Sequence, residues 1–254
     1  MMTSRTRVLY CESLRNPLLG VSGLPALVAI AHESGARLVV DNTFTSMIMS
    51  PLRHGADVVV HRVTKFVNGT SDCVAGCVAS SREFIGQLNH INAGPSILKN
   101  LHSLHIRLRQ LGRNALYLAS GLDALGYTVH YPGLASHPPH ALLARLMDPG
   151  YGWLGENDDP RHRRRCRRQS PHDADAAPQG RLPGRQPRLF QDRVYHTGPS
   201  TSSEISAEQR EAAGLHEGLI RFSVGLDEDI AETMTRIQHC LVEAEVSRTG
   251  SAQA

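Results

Sequence analysis

Only two lysines occur in the 254 residues, Lys65 and Lys99. Lys65 closes the run GADVVVHRVTK, in which a turn leads into a buried-strand pattern followed by Thr64 and Lys65. A second apolar run, RLVVDNT, reaches Asp41, and the turn SLRNP after a first strand-like run holds Asn16. Open α/β sheets take ligands at the carboxyl ends of their strands, where all three residues are expected. An amine and a carboxylate at the ends of neighbouring parallel strands suit pyridoxal 5'-phosphate. The amine holds the aldehyde as a Schiff base, and the carboxylate keeps the ring nitrogen protonated so that the ring accepts electrons. Asn16 is placed to hydrogen-bond the ring hydroxyl, and Lys65 to shuttle protons once released. Singly these features are bland, since an Asp after a strand is often a turn former and a Thr-Lys pair is often surface.

The elements that would position them alternate. Residues 7–12 read as a buried strand, 24–34 as a helix stopped by Gly35, and 37–41 as a strand. A loop and a short helical piece lead to a strand at 56–61. Residues 74–79 form another strand and 82–90 a helix. This order predicts an α/β fold with a mostly parallel, doubly wound sheet. Ile97, Leu101, Leu104, Leu108, Leu111, Ala115, Leu118, Leu122 and Leu125 recur at spacings of four and three. That rhythm predicts one long helix over 96–125, capped by Ser96 and ended by Gly126. A coiled-coil seam is the rival reading. Beyond it, YTVHYPG reads as strand and turn, SHPPHALLARLM as a helix, LIRFSVG as a strand, and DEDIAETMTRIQHCLVEAE as a closing helix with an acidic start.

A hydrophobic fraction of 41% with 20% charged residues supports a sizeable core and excludes wholesale disorder. The net charge of +3 calls for no anionic partner. No apolar run is long enough to cross a bilayer, and MMTSRTRVLYCES lacks the features of a secretory signal. A cytoplasmic location with reduced thiols is the expectation, and no membrane or nucleic-acid partner. The RHRRRCRR tract at 161–168 is read as a solvated linker, because no aromatic stacking residues accompany it. From Glu156 to Arg188 the only large aliphatic or aromatic residue is Leu182, so an irregular excursion is predicted there. Cys73 and Cys77 are read as core residues, His137 and His140 as a helix start, and His61 as a strand-end packing residue. Tyr131 and Trp153 are also placed in the core.

The runs ESLRNP, VVDNTFTS and GADVVVHRVTKFVNGTSDCVAG, with YPGLASHPPH and GLIRFSVGLDEDI, resemble the Cys/Met-metabolism family of pyridoxal-phosphate enzymes. That family includes cystathionine γ-synthases, cystathionine γ-lyases, methionine γ-lyases and O-acylhomoserine sulfhydrylases. The resemblance implies fold type I of the pyridoxal-phosphate transferases. It implies an incomplete large domain over 1–125 and a small C-terminal α+β domain over 126–254 with an irregular insert at about 156–195. It places Lys65 at the Schiff-base lysine, Asp41 at the pyridinium aspartate, Asn16 facing the ring hydroxyl and Thr64 at a phosphate contact. Arg221 falls at the arginine that grips the substrate carboxylate, a task its planar fork suits. The implied activity is a carbon–sulfur lyase or γ-replacement enzyme acting on a small sulfur amino acid or an O-acylhomoserine. Family members are homo-oligomers. STSSEI at 200–205 leans toward the γ-lyase and γ-synthase branches.

Departures from the pattern motivate an alternative, a non-catalytic remnant of the same fold. The family's glycine-containing phosphate loop and ring-stacking aromatic have no equivalent before Arg7. Arg62 stands three before the lysine, where a small hydroxyl residue is usual; its charge suits a phosphate, but its bulk is expected to disrupt the cofactor pocket. Met47 follows Thr45-Ser46 where a proline is usual, a segment looks lost near Gly94-Pro95-Ser96, and the likeness fails from Glu156 to about Tyr195. Runs of Arg, Pro, Ala and Gly are what an out-of-frame read of a GC-rich gene yields, so a truncated, partly frameshifted family member is expected.

Overall fold

The computed structural model describes residues 2–70, 72–88, 95–148, 193–196, 208, 219–226 and 229–251. Strands β1 (Val8–Glu12), β4 (Arg37–Asp41), β5 (Val58–His61) and β6 (Cys77–Ser80) form one sheet in that order. β1, β4 and β5 run parallel, while β6 pairs with β5 antiparallel. A hairpin of β2 (Leu14–Arg15) and β3 (Gly20–Val21) follows β1, so the expected plain turn at SLRNP carries a short ladder. It leads into α1 (Leu24–Glu33), whose Pro25 sits in the first turn, where a missing N–H costs nothing. A 3-10 turn, Pro51–His54, ends at Gly55 with φ +94°, a left-handed conformation that suits a residue without Cβ.

Parallel pairing sends Leu38, Val40 and Val59 to one face, where α1 and α5 (His140–Leu146) cover them. Leu14, Leu24, Leu38, Val40 and Leu143 are fully buried there. The other face is less covered. Val8 and Tyr10 are 53% and 56% exposed, so β1 is not the buried strand its composition predicts. α2 (Arg82–Gly86), held by Ser81 accepting from the Phe84 N–H, brings Phe84 to Arg37 at one corner.

The 96–125 stripe is two helices, α3 (Pro95–Leu101) and α4 (Leu104–Ala124). His102 and Ser103 donate to carbonyls three residues back, which tightens the chain and breaks the axis. α3 begins at Pro95, so Ser96 lies inside it and is not its cap. Gly126 follows α4 with φ +87°, as a helix stop requires. Ile97, Leu104 and Leu108 pack on Val63 and Val67, beside the Lys65 turn. Residues 127–130 form no strand, contrary to the reading of YTVHYPG. β7 (Arg193–His196) pairs antiparallel with β8 (Ile220–Ser223), which puts strand where the insert was expected to end. The closing helix α6 (Ile230–Ser251) packs on α4, with Met234 against Gly121. Trp153, the 161–168 tract, 200–205 and most of the 156–195 insert lie outside the described residues.

Candidate active site

β4 delivers Asp41 to the carboxyl edge of the sheet, level with Val60 on β5. β5 ends at His61, and four residues further on lies Lys65, in the turn that follows. The two loops beyond these strands are fastened together. The Arg62 N–H donates to Thr43 Oγ1 at 2.8 Å, Ser46 Oγ meets His61 Nδ1 at 3.0 Å, and Phe44 meets Phe66 edge-on at 5.7 Å. Asp41 and Lys65 therefore share one edge and adjoining loops. Asp41 is half-buried, with Oδ1 accepting from the Thr43 N–H at 2.9 Å and Oδ2 from the Tyr10 hydroxyl at 3.2 Å. Partial desolvation of a residue that is still 56% exposed, and then the Asp41 charge, push the Tyr10 phenol up to about 12, so it stays a neutral donor.

Beneath Asp41 lies a buried polar knot. Thr45 Oγ1 donates to Asn42 Oδ1 and meets Ser13 Oγ, both at 2.6 Å, and Asn42 Nδ2 donates to the Met49 carbonyl at 2.9 Å. Thr45, Asn42 and Ser13 are at most 2% exposed. Ser13 also reaches the Asp41 carbonyl with both its N–H and its hydroxyl. The knot fixes the backbone from which Asp41 projects. Sequence reading missed it, because Asn and Thr after a strand look like ordinary turn formers.

Lys65 is exposed, with its N–H on the Arg62 carbonyl and its carbonyl accepting from Gly69. The Thr64 hydroxyl, expected at a phosphate contact, is engaged by the backbone of Ala75. That oxygen accepts from the Ala75 N–H at 2.9 Å and lies 3.3 Å from the Ala75 carbonyl. Arg62 is exposed and engages Thr43 through its backbone. Asn16 Oδ1 accepts from Arg221 Nη1 at 3.0 Å, joining residues 205 positions apart. Both come from the expected set, and the β2–β3 hairpin meets β8 there. Behind the lysine turn, Arg107 is 7% exposed and donates to the Phe66, Val67 and Asn100 carbonyls and to Ser103 Oγ. Sequence reading did not single it out; a charged residue between Leu104 and Leu108 was the available signal.

Other singled-out residues have structural partners. His61 is held below its usual pKa by burial, with Asp41 opposing. His137 is likewise lowered by burial and lies 3.4 Å from the Leu19 carbonyl, while His140 Nδ1 is 2.8 Å from that of Pro132. Tyr131 is buried, and its hydroxyl donates to the Gly112 carbonyl. Cys73 is half-buried, but Cys77 is exposed on β6 and is not the core residue expected, because β6 forms an edge of the sheet.

An α/β fold with a carboxylate and an amine on neighbouring strand ends is that of a fold type I pyridoxal-phosphate enzyme. Solved structures share it: the cystathionine gamma synthase from Xanthomonas oryzae pv. oryzae superposes with TM-score 0.69 at 29% identity, over 94% of this chain and 64% of that one. Residues 1–155 match the family model of the Cys/Met metabolism PLP-dependent enzymes. The chain belongs to that family. It is 33% identical to methionine gamma-lyase of Arabidopsis thaliana over 94% of this chain and 57% of the relative. It is 35% identical to cystathionine gamma-lyase of Dictyostelium discoideum over 94% and 64% respectively. The chain thus spans about three-fifths of the length of these relatives.

The donor set fits pyridoxal phosphate. An exposed primary amine, a half-buried carboxylate, and an amide joined to a guanidinium lie on the loops and edges just described. No helix among the described residues is long and apolar enough to cross a membrane.

Proposed function

We propose that this chain carries the lysine, pyridinium-carboxylate and substrate-carboxylate groups of a pyridoxal-phosphate-dependent carbon–sulfur lyase or γ-replacement enzyme of methionine and cysteine metabolism. Its substrates would be small sulfur amino acids or O-acylhomoserines, the compounds named by its relatives. The observation that carries this reading is the fastening of the Asp41 and Lys65 loops at one sheet edge, through Thr43 to Arg62 and Phe44 to Phe66.

When bound, the cofactor supplies an electron-poor ring that stabilises negative charge at the substrate α-carbon. Asp41, Asn16 and Lys65 would hold it. Asp41 Oδ2 takes one hydrogen bond from neutral Tyr10 and, as a carboxylate oxygen, has room to accept another. Asn16 has its carbonyl oxygen turned to Arg221, which leaves Nδ2 as the donor that would serve a ring oxygen. Arg221 would bind the substrate carboxylate with its planar fork, while Asn16 and the β7–β8 ladder fix its position. Lys65 Nζ would take the α-proton and return it. Thr64 is a supporting residue, because its hydroxyl anchors the start of the lysine turn to Ala75.

The test is direct, because the chain has only Lys65 and Lys99 as side-chain amines. Incubation with pyridoxal phosphate, borohydride reduction and peptide mapping should place the pyridoxyl mass on Lys65, and Lys65→Ala should remove the visible absorbance. A wild-type protein that stays colourless and unlabelled at Lys65 overturns the proposal.

A further inference from the structure

We infer that Arg107 is a positioning residue for Lys65: its buried guanidinium clamps the backbone immediately after the lysine against the break between α3 and α4. The inference rests on the function proposed above. Nη1 donates to the Phe66 carbonyl at 2.9 Å, and Nη2 to those of Val67 and Asn100 at 2.8 and 3.0 Å. Nε donates to Ser103 Oγ at 3.1 Å. One flat cation thus holds the carbonyls of the two residues that follow Lys65, the Asn100 carbonyl in the last turn of α3 and the Ser103 hydroxyl between the helices. Asn100 adds a second tie, with Nδ2 donating to Asn68 Oδ1 at 2.9 Å and to Thr70 Oγ1 at 3.2 Å. Asn68 is fully buried and closes onto Thr70 and Asp72.

The clamp accounts for the break in the helix. A continuous helix would spend the Asn100 carbonyl on the residue 104 N–H. At the break the carbonyl turns to Arg107 and to the Ser103 N–H instead. Arginine has the donors for four acceptors in one plane. Lysine, with three donors on a single nitrogen, cannot span them. Burying a charge for fold stability alone is costly, and hydrophobic residues of similar volume often serve as well or better. A guanidinium kept here and spent on the backbone beside the reactive amine points to a need for a fixed loop.

The experiment compares the full chain with its Arg107→Ala and Arg107→Lys variants. Each is incubated with pyridoxal phosphate, reduced with borohydride and mapped, with exposed Lys99 as internal reference. Hydrogen exchange is read at the Phe66–Gly69 amides and at β4. Charge-assisted hydrogen bonds of this kind correspond to a factor of roughly ten to a hundred. Arg107→Ala is expected to lower the Lys65-to-Lys99 labelling ratio about tenfold or more. Its loop exchange should rise while β4 is unchanged, and added guanidinium ion should restore labelling. Arg107→Lys is expected to fall between wild type and Arg107→Ala, and it decides the matter if Arg107→Ala does not fold. A folded variant that labels Lys65 as wild type does overturns the clamp. Absence of Lys65 labelling in the wild type overturns the underlying function, and the clamp with it.

Discussion

Replacing Thr45 by valine tests whether the buried knot under Asp41 holds the site. The side chains are nearly isosteric, so the change removes a hydroxyl and little else. Thr45 is 0% exposed, so water cannot replace what is lost. Two hydrogen bonds of 2.6 Å disappear, one to Asn42 Oδ1 and one shared with Ser13 Oγ. Each is worth about 1 kcal/mol net, and stranding Asn42 Oδ1 adds a desolvation penalty of about 1–3 kcal/mol. Ser13 keeps its bond to the Asp41 carbonyl, which offsets about 1 kcal/mol by covering the loss of the bond it shared with Thr45. The expected loss is about 2–4 kcal/mol, against a typical domain stability of about 5–15 kcal/mol. In urea titrations that lowers the midpoint by about 1–2 M for a slope of about 2 kcal/mol/M. Thr45→Ser keeps the hydroxyl and should lose about 1 kcal/mol or less. A cycle with Ser13→Ala should show coupling of about 0.5 kcal/mol or more. A Thr45→Val midpoint within about 0.2 M of wild type would refute the reasoning, because the slope then leaves under about 0.5 kcal/mol for the whole knot.

Two further outcomes follow from titrating groups. His61 and His137 are both held below the usual histidine pKa of 6.5 by burial. The unfolded chain therefore binds protons first as pH falls, and stability drops below about pH 6.5. Thermal midpoints across that range should flatten in a His61→Gln, His137→Gln double variant, and an unchanged slope would contradict this. Tyr10, pushed up to about 12 by burial and Asp41, sets the alkaline side. Its folded pKa exceeds the unfolded value of 10.0, so its contribution is complete below pH 10 and is lost as pH rises to about 12. In ultraviolet absorbance titrations, Asp41→Asn should lower the Tyr10 midpoint only partway, because burial is the larger cause; no movement would exclude the Tyr10–Asp41 contact.

Much of the sheet was legible from short apolar runs, since β1, β4 and β5 fall within a residue or two of their expected spans. Direction was not legible. A short apolar run reads the same whether its strand lies parallel or antiparallel, and β6 is antiparallel. Nor was exposure legible, because Val8 and Tyr10 carry the signature of a covered face yet lie open. The leucine stripe over 96–125 predicted helix, and its four-three rhythm passes unbroken through the turn at His102–Ser103. Periodicity reports which side of a helix is apolar. It does not report that Arg107 will take the Asn100 carbonyl and end one helix there.

The candidate site shows the same division between local and distant information. Asp41 ends β4 and Lys65 lies in the turn just beyond β5, and adjacent parallel strands bring successive ends together; that step follows from topology. The bond between Arg221 and Asn16 does not, because 205 positions separate them and neither lies in a periodic pattern that points to the other. Its consequence is chemical as well as architectural. With its oxygen engaged by a guanidinium the amide keeps its nitrogen as the free donor, so under the proposed function Arg221 favours Asn16 donating toward a ring oxygen. A group assigned to the substrate thereby acts on a group assigned to the cofactor. Arg221→Gln should accordingly weaken cofactor retention by the substrate-free protein, and not substrate affinity alone. A variant with unchanged cofactor affinity would separate the two roles again.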